Sequence, residues 1–149
     1  MGAVIHTARV EAGSTVAVIG CGGIGLSAIN GAAIVGASRI IAVDMVASKL
    51  DLARKFGATD VVDASSGDAV AEVIEMTGGG VHYSFEAIGL KATAEQAFQM
   101  LRMGGTATVI GMIPPGQMVS LHGVDFLREK KIQGSMMGSN RFRVDMPRF

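Results

Sequence analysis

Apolar runs rich in β-branched residues recur at Thr15–Ile19, Arg39–Val43, Asp60–Val62, Val81–Glu86, Thr106–Ile110 and Lys131–Ser135, and predict six strands. Between them the spacing of apolar positions changes to that of helices. Ile24–Val35 is one such stretch. Leu50, Ala53 and Phe56 mark the next, before Gly57. Val70, Val73, Ile74 and Thr77 repeat the pattern ahead of Gly78, and Ala94, Ala97, Phe98 and Leu101 repeat it ahead of Gly104 and Gly105. Each glycine break is an expected helix end. Pro114–Lys131 interrupts the alternation with adjacent prolines, so a surface excursion at the sheet edge is expected there, holding only a short helix around Gly123–Arg128.

Strands alternating with helices imply a parallel sheet covered on both faces, because parallel neighbours need a right-handed crossover of about a dozen residues or more. A length of 149 residues suits one such domain. The 13 basic and 13 acidic residues balance, and no Lys/Arg block stands out, which removes the electrostatic footprint of a nucleic-acid binder. The single cysteine, Cys21, excludes an internal disulfide framework and a Cys-rich zinc cluster, and fits a reducing cytoplasm. Gly13–Ser38 carries no charge and would trip a hydropathy scan. Its β-branched first part and Gly/Ala-rich second part, broken by Asn30, read instead as a buried strand followed by a buried helix, so no membrane partner is expected. The first residues show no targeting signal.

The candidate chemistry lies in "GCGGIG", where Gly20, Gly22 and Gly25 form G-x-G-x-x-G directly after the first strand and at the opening of a helix. In that setting Gly20 permits the tight turn, Gly22 leaves room for a pyrophosphate, and Gly25 lets helix and strand pack closely. Cys21, Gly23 and Ile24 share the loop, and the helix N-terminus offers free N–H groups to the anion. Asp44 ends the second strand, placed to accept hydrogen bonds from both hydroxyls of an adenosine ribose. A 2′-phosphate would meet a like charge there, so NAD is favoured over NADP. The expected fold is a six-stranded, doubly wound α/β sheet of Rossmann type, strand order 3-2-1-4-5-6.

With these residues in place, the whole chain resembles the coenzyme-binding domain of zinc-dependent, medium-chain alcohol dehydrogenases. The likeness is carried by "ARVEAGSTVAVIGCGGIGLS", "GASRIIAVD", "KLDLARKFGATDVVD", "GGVHYSFEAIG", "GTATVIGMIPPG" and "KIQGSMMGSNRFRVDMPRF". The last of these is also reminiscent of the formaldehyde-type and tightly cofactor-holding bacterial branches. The resemblance implies that Lys49 assists at the adenosine ribose and that Ala87 and Ile88 flank the adenosine side. It further implies that main-chain groups of Gly111, Ser135 and Met137 hold the nicotinamide carboxamide. Met112 departs from the family pattern, standing where glycine is frequent. Glu86 sits at a strand's carboxyl end, where either a site role or a hydrogen-bonded structural role is open. A homodimer through the sheet edge near Met118–Leu121 is also implied.

The family's hydride transfer between alcohol or aldehyde and NAD uses zinc held by cysteine and histidine side chains of a catalytic domain that precedes the coenzyme domain. Cys21 lies in the phosphate loop, where it is expected to approach the cofactor, and His6, His82 and His122 are too scattered for a ligand spacing. The expectation is therefore a cofactor domain separated from its catalytic partner, without catalytic residues or metal ligands of its own. Two other readings compete. A non-catalytic nucleotide-sensing module shares the fold. A methyltransferase also uses a glycine loop, but has an acid where this chain has Val18. A short-chain dehydrogenase needs Tyr-x-x-x-Lys, and Tyr83 is followed by Ala87 at that spacing.

Overall fold

Along the first strand Val16 and Val18 turn to one side while Ala17 and Ile19 turn to the other, and all four are buried. That period-2 alternation, with apolar residues on both faces, is what a central parallel strand requires. The computed structural model describes residues 1–149. Its six strands are β1 (Thr15–Ile19), β2 (Arg39–Asp44), β3 (Asp60–Asp63), β4 (Val81–Glu86), β5 (Leu101–Val109) and β6 (Lys131–Gly134). They form one all-parallel sheet in the order β3-β2-β1-β4-β5-β6, as expected.

The crossovers are α1 (Gly23–Ile34), α2 (Ala47–Lys55), α3 (Ala69–Thr77) and α4 (Lys91–Gln99). On one face, Leu26 and Ile29 of α1 and Leu50 and Ala53 of α2 cover Val16, Val18, Ile40 and Phe85. On the other, Val73 of α3 and Ala97 and Phe98 of α4 cover Ala17, Ile41, Val43 and Val62. Two of the glycine breaks end helices, Gly57 at φ 112° after α2 and Gly78 at φ 65° after α3, whereas Gly104 and Gly105, expected to end α4, lie within β5. Asp68 caps α3, accepting from the N–H groups of Val70 and Ala71 at 3.0 and 3.1 Å. The expected short helix is α5 (Val124–Leu127), and α6 (Phe142–Asp145) lies near the chain end. No helix is long and apolar enough to cross a membrane; the uncharged stretch divides into β1 and α1.

Two features differ from the sequence reading. Leu101 belongs to β5, where it pairs with Val81, and α4 stops at Gln99. Leu101 is buried in either conformation, so its spacing from Phe98 could not distinguish them; the Val81 N–H takes the Met100 carbonyl at 2.9 Å and ends the helix. Ahead of β1, Ala3–Ala8 forms a wide π-helical turn that no periodicity announced. It places Val4 in the core between α1 and the sheet and brings Thr7 against the segment after β6.

Candidate cofactor site

The strand order reverses between β1 and β4, and the loops leaving those two strands form a crevice at the carboxyl edge of the sheet. Two of its three fingerprint glycines are required by the fold itself. Gly20 has φ 93°, which disfavours any side chain, and a β-carbon there would also lie 2.5 Å from Ile88 Cγ1. At Gly25 a β-carbon would lie 1.7 Å from the Gly20 carbonyl oxygen, so only glycine lets α1 pack this close to β1. Gly22 is different. Its φ of −77° and ψ of −174° suit any residue, and a β-carbon would meet nothing within 4 Å. No intramolecular constraint demands glycine there, and the open volume beside it is where a ligand backbone can approach; Gly23 is equally unobstructed.

The first N–H of α1 to reach a carbonyl is that of Leu26, which donates to Gly22 O at 2.8 Å. The N–H groups of Gly23, Ile24 and Gly25 precede it and remain available, at the electropositive end of the helix, to an anion in that volume.

Asp44 closes β2 beside this loop, and its carboxylate is largely buried. Oδ2 accepts from the Cys21 N–H at 2.7 Å, and Oδ1 accepts from the Val46 N–H at 3.0 Å. Lys49 Nζ stands 3.9 Å from Oδ2, so the spacing between Lys49 and Asp44 does bring the two together. Each carboxylate oxygen has a second lone pair, leaving acceptor capacity for hydroxyls at the crevice rim. Ala87 follows β4, with its N–H donating to Ile19 O at 2.9 Å, and Ile88 extends half-exposed across the mouth of the Gly20 turn.

Cys21 corrects one expectation. Its thiol does not approach the crevice; the residue is 1% exposed and packs in the core, with Sγ directed at Val43 O at 3.8 Å. The direct reason is that its N–H turns to Asp44, which sends the side chain inward. Burial, reinforced by the Asp44 charge and partly offset by Lys49, pushes the thiol up to about 12.

Glu86 has a structural role through one of its two oxygens, while Oε2 is buried with no hydrogen-bond partner. Fully buried, its Oε1 accepts from the N–H groups of Ile88 and Gly89 at 2.8 and 2.7 Å and from the Thr93 hydroxyl at 2.8 Å. It therefore fixes the loop that presents Ala87 and Ile88. Gly111 is glycine because a β-carbon would lie 2.2 Å from Gly89 N and 2.6 Å from Glu86 Oε2, and its N–H donates to Glu86 O at 3.1 Å.

Beyond α1 the crevice continues into a cavity of about 390 Å³ bordered by Gly23, Ile24, Ser27, Ile110, Met137 and Asn140. Met137 thus shares a wall with the glycine loop, whereas Ser135 lies below it, its N–H donating to Val109 O at 2.9 Å and its hydroxyl 2.7 Å from that of Thr7. Thr7, Ser139 and Asn140 escaped the sequence reading, since isolated hydroxyl and amide residues carry no periodic signal. The histidines do not converge: His82 Nδ1 accepts from the Thr15 N–H at 3.1 Å, and His6 Nε2 stands 3.1 Å from Asp145 Oδ2 without hydrogen-bond alignment. No group of three or more His, Cys, Asp or Glu side chains comes together that could hold a metal ion, so the residues of this chain do not fit a zinc site.

Fold and crevice together define a dinucleotide-binding domain of Rossmann type. Residues 23–149 match the zinc-binding dehydrogenase family, and the chain belongs to it. It is 43% identical over 150 residues to "Probable S-(hydroxymethyl)glutathione dehydrogenase 1" of Schizosaccharomyces pombe, a match covering 99% of this chain and 40% of that protein. Among solved structures it is similar to benzyl alcohol dehydrogenase from Acinetobacter calcoaceticus, with TM-score 0.95 and 36% identity over 99% of this chain and 41% of that one. The structure of a "putative zinc-binding dehydrogenase" from Sinorhizobium meliloti 1021, bound to NADP, has TM-score 0.86 and 35% identity over 90% of this chain and 40% of that one. The chain spans about 40% of the length of these relatives.

Proposed function

We propose that this chain binds NAD in the crevice, with the diphosphate against Gly22 and Gly23, the adenosine ribose on Asp44 and Lys49, and the adenosine side bordered by Ala87 and Ile88. The nicotinamide then lies in the adjoining cavity near Ile24, with Gly111, Ser135 and Met137 main chain around its carboxamide. The observation that carries this reading is Gly22: an ordinary backbone conformation facing open space, next to unused helix N–H groups and one residue from the N–H that Asp44 holds. Asp44 favours NAD because a 2′-phosphate would be set against its carboxylate.

The protein that uses this domain transfers a hydride between an alcohol or aldehyde and NAD, by likeness to the named relatives. NAD supplies the hydride acceptor when bound; this chain's part is to bind it, orient it and shield one side. Pairing of two copies near Met118–Leu121 and a cytoplasmic setting complete the reading. Met118 is exposed, and the neighbouring Ser120 N–H is tied to Glu95 Oε1 at 2.8 Å, which gives that segment a defined path. Calorimetric titration with NAD and NADP tests the proposal: NAD should bind at least about tenfold more tightly, the order expected for a buried like-charge conflict. Equal affinities, or no heat with either, would contradict it.

A further inference from the structure

We propose that Thr7 is a positioning residue for the nicotinamide half of the cofactor, acting through a left-handed turn at Met137–Ser139. This rests on the placement of the nicotinamide given above. Met137, Gly138 and Ser139 have φ of 48°, 69° and 51°, three consecutive residues in the left-handed region. For Met137 and Ser139 that conformation is intrinsically disfavoured, and it persists only where the surroundings over-determine it.

The surroundings do so from the Ala3–Ala8 turn. Thr7 Oγ1 lies 2.7 Å from Ser135 Oγ and 2.9 Å from Ser139 Oγ, so one hydroxyl spans the turn from both sides. With one proton and two lone pairs it can donate to one serine and accept from the other. The Thr7 main chain is held too, its carbonyl accepting from Gln133 Nε2 at 3.4 Å while the same amide donates to Thr108 Oγ1 at 3.2 Å. Backbone lies on backbone beside it: a β-carbon on Gly2 would be 2.4 Å from Gly138 O, and one on Gly138 would be 3.0 Å from Ala3 N. Asn140 Nδ2 closes the turn by donating to Met137 O at 2.8 Å.

The product of this bracing is direction. The chain leaving β6 is bent so that Met137, 70% exposed, faces the cavity that also meets Gly23 and Ile24. Relaxation of Met137 or Ser139 to ordinary φ would swing that main chain away. Thr7 touches no part of the crevice itself; its effect passes through Ser135 and Ser139.

A purely structural role and a positioning role separate when two ligands are compared. ADP-ribose carries the diphosphate and adenosine half without nicotinamide, whereas NADH carries both. In Thr7→Val, which keeps the shape and removes the hydroxyl, NADH affinity should fall about three- to tenfold, the range of one net hydrogen bond, while ADP-ribose affinity stays within about twofold. Thr7→Ser should restore NADH binding. Should Thr7→Val fail to fold, Ser139→Ala removes one arm of the bridge and should show the same selective loss. Equal losses for both ligands, or no loss for either, overturn the inference. Amide chemical shifts of the wild-type chain distinguish the two levels of failure. If NADH perturbs Ser135–Ser139 and ADP-ribose does not, yet the variants bind NADH normally, Thr7 alone is wrongly assigned. If NADH leaves those amides unmoved, the nicotinamide placement falls and the inference with it.

Discussion

Asp44 Oδ2 accepts a 2.7 Å hydrogen bond from the main-chain N–H of Cys21, so the acid at the end of β2 also shapes the glycine loop after β1. One carboxylate thereby sets the loop's course and, in the proposed complex, would also meet the cofactor's sugar. Asp44→Asn keeps the volume but turns an amide donor toward one of two main-chain N–H groups, while Asp44→Gly leaves both without an acceptor. Loss of a charge-assisted hydrogen bond is worth about 1.5–3 kcal/mol. NAD affinity measured by calorimetry should fall about ten- to hundredfold in either variant, and the preference over NADP should narrow.

Gly22 and Gly25 should respond in opposite ways to the same added methyl. Gly22→Ala suits the local backbone and meets open space, so its thermal midpoint should match the wild type while NAD affinity drops at least about tenfold. Gly25→Ala forces a β-carbon onto the Gly20 carbonyl, and denaturant unfolding should show a loss of at least about 2 kcal/mol.

Cys21 should be inert in the folded protein. With the thiol buried and held up to about 12, a thiol-specific chromogenic reagent at pH 8 should give no reaction until denaturant is added. Rapid labelling of the native chain, slowed by NAD, would place the thiol in the crevice instead.

Acid stability should carry the mark of Asp60. Arg39 donates to it through Nε at 2.9 Å and Nη2 at 2.8 Å, and this pairing lowers the carboxyl from 3.8 to about 2. A depressed carboxyl stabilises the fold above its unfolded value, and the contribution is lost as pH falls from about 4 to about 2. Asp60→Asn should flatten the unfolding free energy across that window and leave its slope near neutrality unchanged.

The alternation of strands and helices was legible because parallel strands buried on both faces must be apolar runs, and because glycine ends α2 and α3 where the apolar spacing stops. The glycine turn after β1 was legible for a related reason: Gly20 and Gly25 meet backbone constraints that only glycine satisfies. Other features depend on contacts distant in sequence. Leu101 is apolar in helix or strand alike, and its pairing with Val81 decides the outcome. The inward turn of Cys21 follows from an acid on the next strand, and the Met137–Ser139 turn from hydroxyls near the other end of the chain. No local pattern encodes either.

A crystal structure of the chain with NAD tests the cofactor placement most directly. Diphosphate oxygens should lie about 3 Å from the N–H groups of Gly23 and Ile24, with both adenosine ribose hydroxyls within about 3 Å of the Asp44 carboxylate. A diphosphate bound away from the first turn of α1, or a ribose that leaves Asp44 contacting only Cys21 and Val46, would contradict it.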